Sequence, residues 1–165
     1  MHCKLCLNND NIEGITFSHG ICSVCQEYKR IKAYVENYSA LEKVWKKKLY
    51  EIRGTKTFDA VIGLSGGKDS TYVLYELKRK YNLNVCCVTF DNGYLSDTAK
   101  ENIDKTVKKL DIYHEYVVFD KKLLKTVYDI SQSIYGNQCM GCTFLMYVGL
   151  NEFAIEHDVA LMLNG

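Results

Sequence analysis

Residues 58–70, FDAVIGLSGGKDS, decide the fold of this chain. The apolar run 58–64 leads directly into a glycine-rich turn, and apolar residues at helical spacing follow from Tyr72 to Leu77. A strand, a tight turn and a helix in this order are typical of the first unit of an α/β domain.

The remainder of the chain repeats this alternation. The pattern predicts strands at 85–90, 113–119 and 160–163, and helices at 96–110, 121–135 and 144–156. Strands separated by helices need right-handed crossovers, which make the sheet parallel. We therefore predict a Rossmann-like α/β domain. Its ligand should bind at the carboxyl ends of the strands, where the glycine-rich turn lies.

The turn has the composition of a phosphate-binding loop. Gly66 and Gly67 allow backbone N–H groups to approach a phosphate closely, and a helix that begins near Lys68 adds unpaired N–H donors. Hydroxyls come from Ser65 and Ser70, a positive charge from Lys68, and a group for Mg²⁺ from Asp69. The spacing differs from the ordinary P-loop, Gly-x4-Gly-Lys-Ser/Thr. The alternative is a strand-to-helix turn that binds no ligand.

Residues 65–70, SGGKDS, resemble the signature of the PP-loop ATP pyrophosphatase family. The resemblance implies an adenine nucleotide alpha hydrolase-like fold that uses ATP and Mg²⁺. It implies cleavage of ATP between the α- and β-phosphates, with adenylation of a substrate oxygen. It further implies catalytic roles for Lys68 and Asp69, and a strand end that borders the adenine, formed by Thr89, Phe90 and Asp91. The similarity covers most of 58–165, and the domain looks short at its C-terminus.

Four cysteines near the N-terminus have the spacing of a structural zinc site. Cys3, Cys6, Cys22 and Cys25 form Cys-x2-Cys-x15-Cys-x2-Cys. Redox-active thiols and simple packing are the alternatives. We predict a zinc ribbon at 1–28, an amphipathic helical linker at 29–54 and the PP-loop domain at 55–165. This layout resembles both zinc-ribbon-bearing tRNA thiolases and N-acetyl sugar amidotransferases of surface-glycan biosynthesis.

A third cysteine pair, Cys139 and Cys142, is expected between two helices and near the phosphate loop. Two thiols there can ligate a [4Fe–4S] cluster, carry a persulfide or bind a second metal. The pair resembles the Cys-x-x-Cys of iron–sulfur-dependent PP-loop thiolases, in which a later cysteine completes the cluster attachment. No cysteine follows Cys142. A helix-entry turn with packed cysteines is the alternative.

Three functions are compatible with these motifs. The first is sulfur transfer to an adenylated carbonyl, on tRNA for example, with a sulfur carrier as partner. The second is an amidotransferase that acts on an acetamido sugar nucleotide with ammonia from a partner glutaminase. The third is a nucleotide-binding protein without catalysis. A homodimer is a further expectation.

Composition narrows the class of protein. The 165 residues carry a net charge of +1, so the chain lacks the overall basic character of a dedicated nucleic-acid binder. No apolar run reaches the roughly 18 residues of a membrane span, and no secretory signal precedes Cys3. We expect a cytoplasmic protein without membrane contact, in which paired cysteines bind metal more readily than they form disulfides.

Overall fold

The computed structural model describes residues 1–164 and contains two compact units, which divide between Leu49 and Tyr50. The predicted PP-loop domain, 55–165, ends on Gly165, which lies outside the described residues. Each unit is described separately below.

The first unit contains a short hairpin followed by helix. Strands β1 (Phe17–Ser18) and β2 (Ile21–Cys22) pair antiparallel. Helix α1 (Ser23–Val35) begins directly after β2, and α2 (Tyr38–Ile52) begins three residues after α1 ends. The last three residues of α2 belong to the second unit. The amphipathic stretch is therefore a pair of helices. The side chain of Asn37 accepts a hydrogen bond from N of Ala40 at 3.1 Å, which marks the start of the second helix.

The second unit is built on a four-stranded parallel sheet in the order β5-β4-β3-β6. Its strands are β3 (Ala60–Gly63), β4 (Val85–Phe90), β5 (Tyr113–Val117) and β6 (Met162–Leu163). The predicted parallel α/β fold is confirmed. The last strand is shorter than the predicted 160–163.

Four helices complete this unit. They are α3 (Lys68–Tyr75), which continues as one π-helical segment (Glu76–Lys80), α4 (Asp97–Leu110), α5 (Lys121–Tyr135) and α6 (Cys139–Glu156). Side chains of Ser96 and Asp120 cap α4 and α5 at their N-termini. Between Met1 and Asn164, no helix combines the length and apolarity needed to cross a membrane.

One part of the core forms where α6 packs on the sheet, and further fully buried side chains, such as Leu74 and Ile103, come from α3 and α4. The buried residues between α6 and the sheet come from β3, β4 and α6: Val61, Cys86, Val88, Leu150, Phe153 and Ala154. Cys86 and its neighbour Cys87 are fully buried, and desolvation raises the pKa of each thiol to about 12. These two cysteines are therefore unreactive core residues, as their position within a strand predicts.

Helix α6 begins five residues earlier than the predicted 144–156. Its early N–H groups find partners outside the helix, because N of Met140 donates to Oδ1 of Asn137 at 3.3 Å and N of Gly141 donates to Oγ of Ser131 at 3.0 Å. A Cβ on Gly141 would lie 2.9 Å from Cγ1 of Val127, so glycine permits this close packing on α5. Residues 139–142 therefore form the first turn of a helix, not the expected connection between helices.

Candidate functional site

The phosphate loop lies between β3 and α3 and is pressed against the start of α4. Gly66 has φ of 75°, and a Cβ there would lie 2.5 Å from the carbonyl oxygen of Ala99. Nδ2 of Asn102 donates to the carbonyl of Gly66 at 3.2 Å. Both the backbone angle and the close contact require glycine at this position.

The two loop serines hold the turn together. Their hydroxyl oxygens, Oγ of Ser65 and Oγ of Ser70, are 3.1 Å apart. N of Ser65 also donates to Oγ of Ser70 at 3.3 Å, and N of Gly67 to Oγ of Ser65 at 3.4 Å. Gly67 is the N-cap of α3 and no side chain caps its N-terminus, which leaves its first N–H groups available to an anion.

Lys68 and Asp69 occupy the first turn of α3 and project into solvent. Their side chains are 88% and 75% exposed, and Nζ of Lys68 lies 2.6 Å from Oδ1 of Asp69. An ion pair this exposed contributes little stability, so both side chains can rearrange around a phosphate or a cation. Their predicted catalytic roles stay predictions.

A cavity of about 340 Å³ opens beside the loop at the carboxyl ends of the strands. We call it the strand-end cavity, and its volume falls in the range of small-molecule sites. It brings together four of the predicted site residues: Ser65, Thr89, Phe90 and Cys142. The remaining lining residues are Gly63, Leu64, Val88, Asn92, Leu95, Val117, Met146, Tyr147, Gly149, Leu150 and Asn164. Asp91 and Cys139 do not line it.

Thr89 is buried at the base of this cavity and its hydroxyl is fully engaged. The hydroxyl donates to the carbonyl of Leu64 at 2.6 Å and lies 2.8 Å from Nε2 of His114. Because its one hydrogen goes to Leu64, the hydroxyl accepts from His114. Burial lowers the pKa of the His114 imidazole, which favours the neutral ring. Thr89 thus links the end of β4 to Leu64, directly after β3, and to His114 near the start of β5.

Phe90 and Asp91 follow at the end of β4. The ring of Phe90 meets that of Phe119 edge to face, with centroids 5.4 Å apart. Oδ1 of Asp91 accepts from N of Gly93 at 2.8 Å, and its other oxygen lies 3.8 Å from Nζ of Lys100. Asp91 therefore shapes the turn after the strand. The contacts of these residues with adenine stay predictions.

Cys142 is the thiol that faces the strand-end cavity. Nδ2 of Asn92 donates to its Sγ at 3.4 Å. Cys139 is exposed and lies outside the cavity. The sequence alone does not indicate Asn92 or the α6 residues Met146 and Tyr147 as cavity residues, because their approach to the loop is a tertiary contact without a local signal.

The two cysteines of α6 do not by themselves provide a cluster site. Among the described residues, no set of three or more His, Cys, Asp or Glu ligand atoms at metal-site spacing includes Cys139 or Cys142. A [4Fe–4S] cluster is commonly held by more cysteine thiolates than these two. The described residues therefore offer no third ligand beside Cys139 and Cys142 to complete such a cluster.

The N-terminal cysteines, in contrast, converge. The sulfur atoms of Cys3, Cys6, Cys22 and Cys25 all lie within 4.8 Å of one another. Sγ of Cys6 and Sγ of Cys22 are 3.6 Å apart. Four sulfurs at about 2.3 Å from a zinc ion would be about 3.8 Å apart at the corners of a tetrahedron. The cluster therefore has the dimensions of a closed tetrahedral metal site.

Backbone N–H groups prepare these thiols for a cation. N of Cys22 donates to Sγ of Cys3 at 3.3 Å, and N of Leu5 donates to the same sulfur at 3.4 Å. These two bonds lower the pKa of Cys3 to about 6. Hydrogen bonding to Cys6 raises the pKa of Cys25 to about 12, because the thiols crowd one another and cannot all ionise without a metal.

One protein family and several known proteins are similar to this chain. The family described as Queuosine biosynthesis protein QueC matches residues 59–139. An uncharacterized protein of Methanocaldococcus jannaschii is 32% identical over 104 residues, which cover 62% of this chain and 37% of that protein. Glutamine-hydrolyzing GMP synthase of Thermosipho melanesiensis is 28% identical over 144 residues, 83% of this chain and 28% of the synthase.

Among solved structures, NH3-dependent NAD synthetase from Campylobacter jejuni shares the fold. It has a TM-score of 0.53 and 19% identity, over 73% of this chain and 54% of the synthetase. This chain spans only 28 to 37% of the length of the two relatives described above. The matched regions include the phosphate loop, in agreement with the resemblance drawn from residues 65–70.

Proposed function

The chain belongs to the PP-loop ATP pyrophosphatase superfamily, and from this premise we propose that it adenylates a carbonyl oxygen of an acceptor substrate. In this reaction the carbonyl oxygen attacks the α-phosphorus of ATP, and the bond to the β-phosphate breaks to release pyrophosphate. A nucleophile then adds at the activated carbon, and AMP leaves with the former carbonyl oxygen.

The loop geometry supports the first step. The uncapped N-terminus of α3 directs N–H donors at the polyphosphate, and the exposed Lys68 and Asp69 can reorganise around it. Lys68 would neutralise charge that develops on the departing pyrophosphate, and Asp69 would help hold Mg²⁺. The chemistry depends on position and charge, so a strong general base is not required.

We propose sulfur as the transferred atom, and the position of Cys142 carries this choice. Its Sγ faces the same cavity as Ser65 and the end of β4, while Nδ2 of Asn92 fixes its direction. A persulfide on Cys142 would attack the activated carbon with its outer sulfur, and AMP would leave with the former carbonyl oxygen. A thiol reductant would then attack Sγ of Cys142 and cleave the S–S bond, which leaves the sulfur on the product and a mixed disulfide at Cys142. A second thiol would release Cys142 as a free thiol. tRNA is the acceptor class that this proposal favours, with a sulfur carrier as the donor partner.

Nitrogen transfer is the second candidate. It is supported by the similarity to GMP synthases, which are named as glutamine-hydrolyzing enzymes. An acetamido sugar nucleotide would then be the acceptor, and a separate glutaminase would supply ammonia. In that case Cys142 would line the cavity without taking part in the reaction.

We also propose that zinc occupies the four-cysteine cluster and stabilises the first unit. A closed set of four thiolates leaves no open coordination position, which is typical of structural and not of catalytic zinc.

One experiment separates these functions. The protein is incubated with ATP, Mg²⁺ and each candidate acceptor, with either sulfide or ammonium as nucleophile, and AMP, pyrophosphate and the modified acceptor are measured. We expect Lys68→Ala to lose activity with both nucleophiles, while Lys80→Ala, an exposed lysine elsewhere on the same helical segment, retains it.

The Cys142→Ala variant decides the transferred atom. If sulfur is transferred from Cys142, this variant loses sulfur incorporation from a persulfide donor, and Cys139→Ala serves as the comparison. If the acceptor gains nitrogen from ammonium, and Cys142→Ala incorporates as much of it as the wild type, the amidotransferase is favoured. An absence of AMP formation with every acceptor would contradict both enzymes and favour a non-catalytic nucleotide-binding protein.

A further inference from the structure

A second cavity lies beside the strand-end cavity and is not used by ATP in the proposal above. It has a volume of about 590 Å³ and lies between the turn after β4, the segment after β5 and the first half of α5. We call it the α5 cavity. Its lining residues are Asp91, Asn92, Gly93, Tyr94, Val118, Phe119, Lys121, Leu124, Lys125, Tyr128, Asp129 and Gln138.

Asn92 lines both cavities and so marks their junction. Its Nδ2 donates to Sγ of Cys142, and its Oδ1 accepts from N of Tyr94 at 3.0 Å. These two bonds hold the Asn92 side chain between the cavities. A molecule in the α5 cavity would therefore meet a molecule in the strand-end cavity next to Cys142.

Tyr128 supplies an independent sign of a ligand. Its hydroxyl oxygen is buried, and none of the residues 1–164 makes a hydrogen bond of good geometry with it, although the Cys142 thiol and the Asn92 amide lie beside it. Burial, and then the neighbouring Cys142, raise the pKa of Tyr128 to about 12, so the hydroxyl remains protonated and can donate. Buried polar groups are nearly always satisfied in folded proteins, and a bound molecule with an acceptor atom would satisfy this one.

The charges at the cavity favour an anion. Lys121 and Lys125 are one helical turn apart in the N-terminal half of α5, where the helix dipole is positive. The carboxylate of Asp129 is balanced by Lys125 at 2.6 Å, and that of Asp91 lies 3.8 Å from Lys100. Lys121 adds a positive charge beyond these pairs, which is suitable for a phosphate.

The other lining groups favour a ring with polar edges. Tyr94 is 81% exposed at the cavity and offers an aromatic face for stacking. The amides of Asn92 and Gln138 can each donate and accept a hydrogen bond, which matches the edge of a base or an amide-bearing ring.

We propose that the α5 cavity binds the acceptor, and that the acceptor is a phosphorylated nucleoside whose phosphate contacts Lys121 and Lys125. Its reactive carbonyl then lies at Asn92, within reach of the α-phosphate in the strand-end cavity. This inference rests on the proposed adenylation, and it adds the acceptor's position and chemical class. Both a nucleotide residue of RNA and a free sugar nucleotide contain such a nucleoside phosphate.

The test is calorimetric titration with uridine monophosphate while α,β-methylene-ATP saturates the strand-end cavity. We expect binding to the wild-type chain and binding about tenfold or more weaker in the double variant Lys121→Ala/Lys125→Ala. The matched control Lys108→Ala/Lys109→Ala removes two lysines from the last turn of α4, away from the cavity, and should bind within about twofold of wild type.

A second variant, Tyr128→Phe, keeps the ring and removes the unsatisfied hydroxyl. It should also weaken binding of the nucleotide while leaving binding of α,β-methylene-ATP unchanged. Equal loss of affinity in the lysine variant and its control, or no effect of either the lysine or the tyrosine change, would overturn the inference.

The outcomes also separate this inference from the proposed function and separate the two sources of ligand. Binding of α,β-methylene-ATP without binding of any nucleoside phosphate overturns the acceptor site alone, whereas no binding of the ATP analogue overturns the adenylation proposal.

Parallel titrations use a uridine-containing RNA hairpin and a uridine diphosphate sugar. Selective binding of one of them, lost in Lys121→Ala/Lys125→Ala, supports the site and identifies the source.

Discussion

The side-chain amide of Asn92 donates a hydrogen bond of 3.4 Å to the sulfur of Cys142, which lies 50 residues further along the chain. Asn92 follows the second strand of the sheet, and Cys142 lies in the first turn of α6. The bond turns one thiol of the Cys-x-x-Cys pair toward the phosphate loop, while Cys139 remains exposed outside the cavity. The two cysteines therefore have different environments and should react differently.

ATP should protect Cys142 from alkylation and leave Cys139 unprotected. Cys142 lines the cavity that we assign to ATP, so Mg·ATP should slow its reaction with iodoacetamide by about fivefold or more, since reactivity follows access. Site-resolved mass spectrometry after timed quenching measures both rates in one sample. Equal protection of the two cysteines, or protection of neither, would contradict the assignment.

Replacement of Gly66 by alanine should remove nucleotide binding and reduce the free energy of unfolding by about 2–4 kcal/mol. The new Cβ would have an unfavourable backbone angle at φ of 75° and would lie 2.5 Å from the carbonyl of Ala99. Gly54→Ala is the matched control, because Gly54 has φ of 68° but no atom within 4 Å of the added Cβ. Its cost should be about 1–2 kcal/mol, with binding unchanged. Urea denaturation and calorimetry measure both quantities.

Cys22→Ser should abolish stoichiometric metal in the first unit. The sulfur of Cys22 is fully buried at the centre of the four-cysteine cluster, and a hydroxyl is a much poorer ligand for zinc. Elemental analysis should give about one zinc per wild-type chain and much less in the variant. The exposed Cys139→Ser serves as the comparison and should keep its zinc. Iron in place of zinc at the cluster, or metal retained by Cys22→Ser, would refute the prediction.

Stability should fall as the pH is lowered from 7 toward 5, and His114 should contribute to the fall. Burial lowers its pKa in the folded chain below the ordinary value of about 6.5, although Asp104 and Glu115 partly oppose this. The unfolded chain therefore binds a proton first as the pH falls, and this favours unfolding. The loss begins near the unfolded pKa and is complete below the folded one.

His114→Gln removes the titrating group and keeps a donor for Thr89. Urea titrations between pH 5 and 8 should give a shallower dependence of stability on pH for this variant than for the wild type. His2→Gln, a change at an exposed histidine, should leave the slope unchanged. An identical slope in all three proteins would contradict this prediction, because it would mean that His114 has the same pKa in the folded and the unfolded chain.

The sequence predicts those features that depend on neighbouring residues. The turn at residues 65–70 can be recognised locally, because glycines, a lysine and serines follow an apolar strand without interruption. The spacing of the N-terminal cysteines likewise predicts their convergence within 4.8 Å. Both signals are short-range, so no knowledge of the tertiary fold is needed.

Features that depend on packing were not predictable. Helix α6 starts at Cys139 because Ser131 of α5 receives the N–H of Gly141, and no local pattern indicates that partner. The contact between Thr89 and His114 joins two strands whose order in the sheet must be known first. The π-helical segment at Glu76–Lys80 also has no sequence signal that we can identify.

The two hydrogen bonds of the Thr89 hydroxyl affect how a nucleotide binds in the strand-end cavity. Because it is bonded to both Leu64 and His114, this hydroxyl holds the backbone beneath the phosphate loop in place. Association then requires little loss of backbone entropy, and the free energy of binding is available for orienting the α-phosphorus. Such preorganisation predicts rapid nucleotide association with a small activation enthalpy, limited mainly by rearrangement of the exposed Lys68 and Asp69.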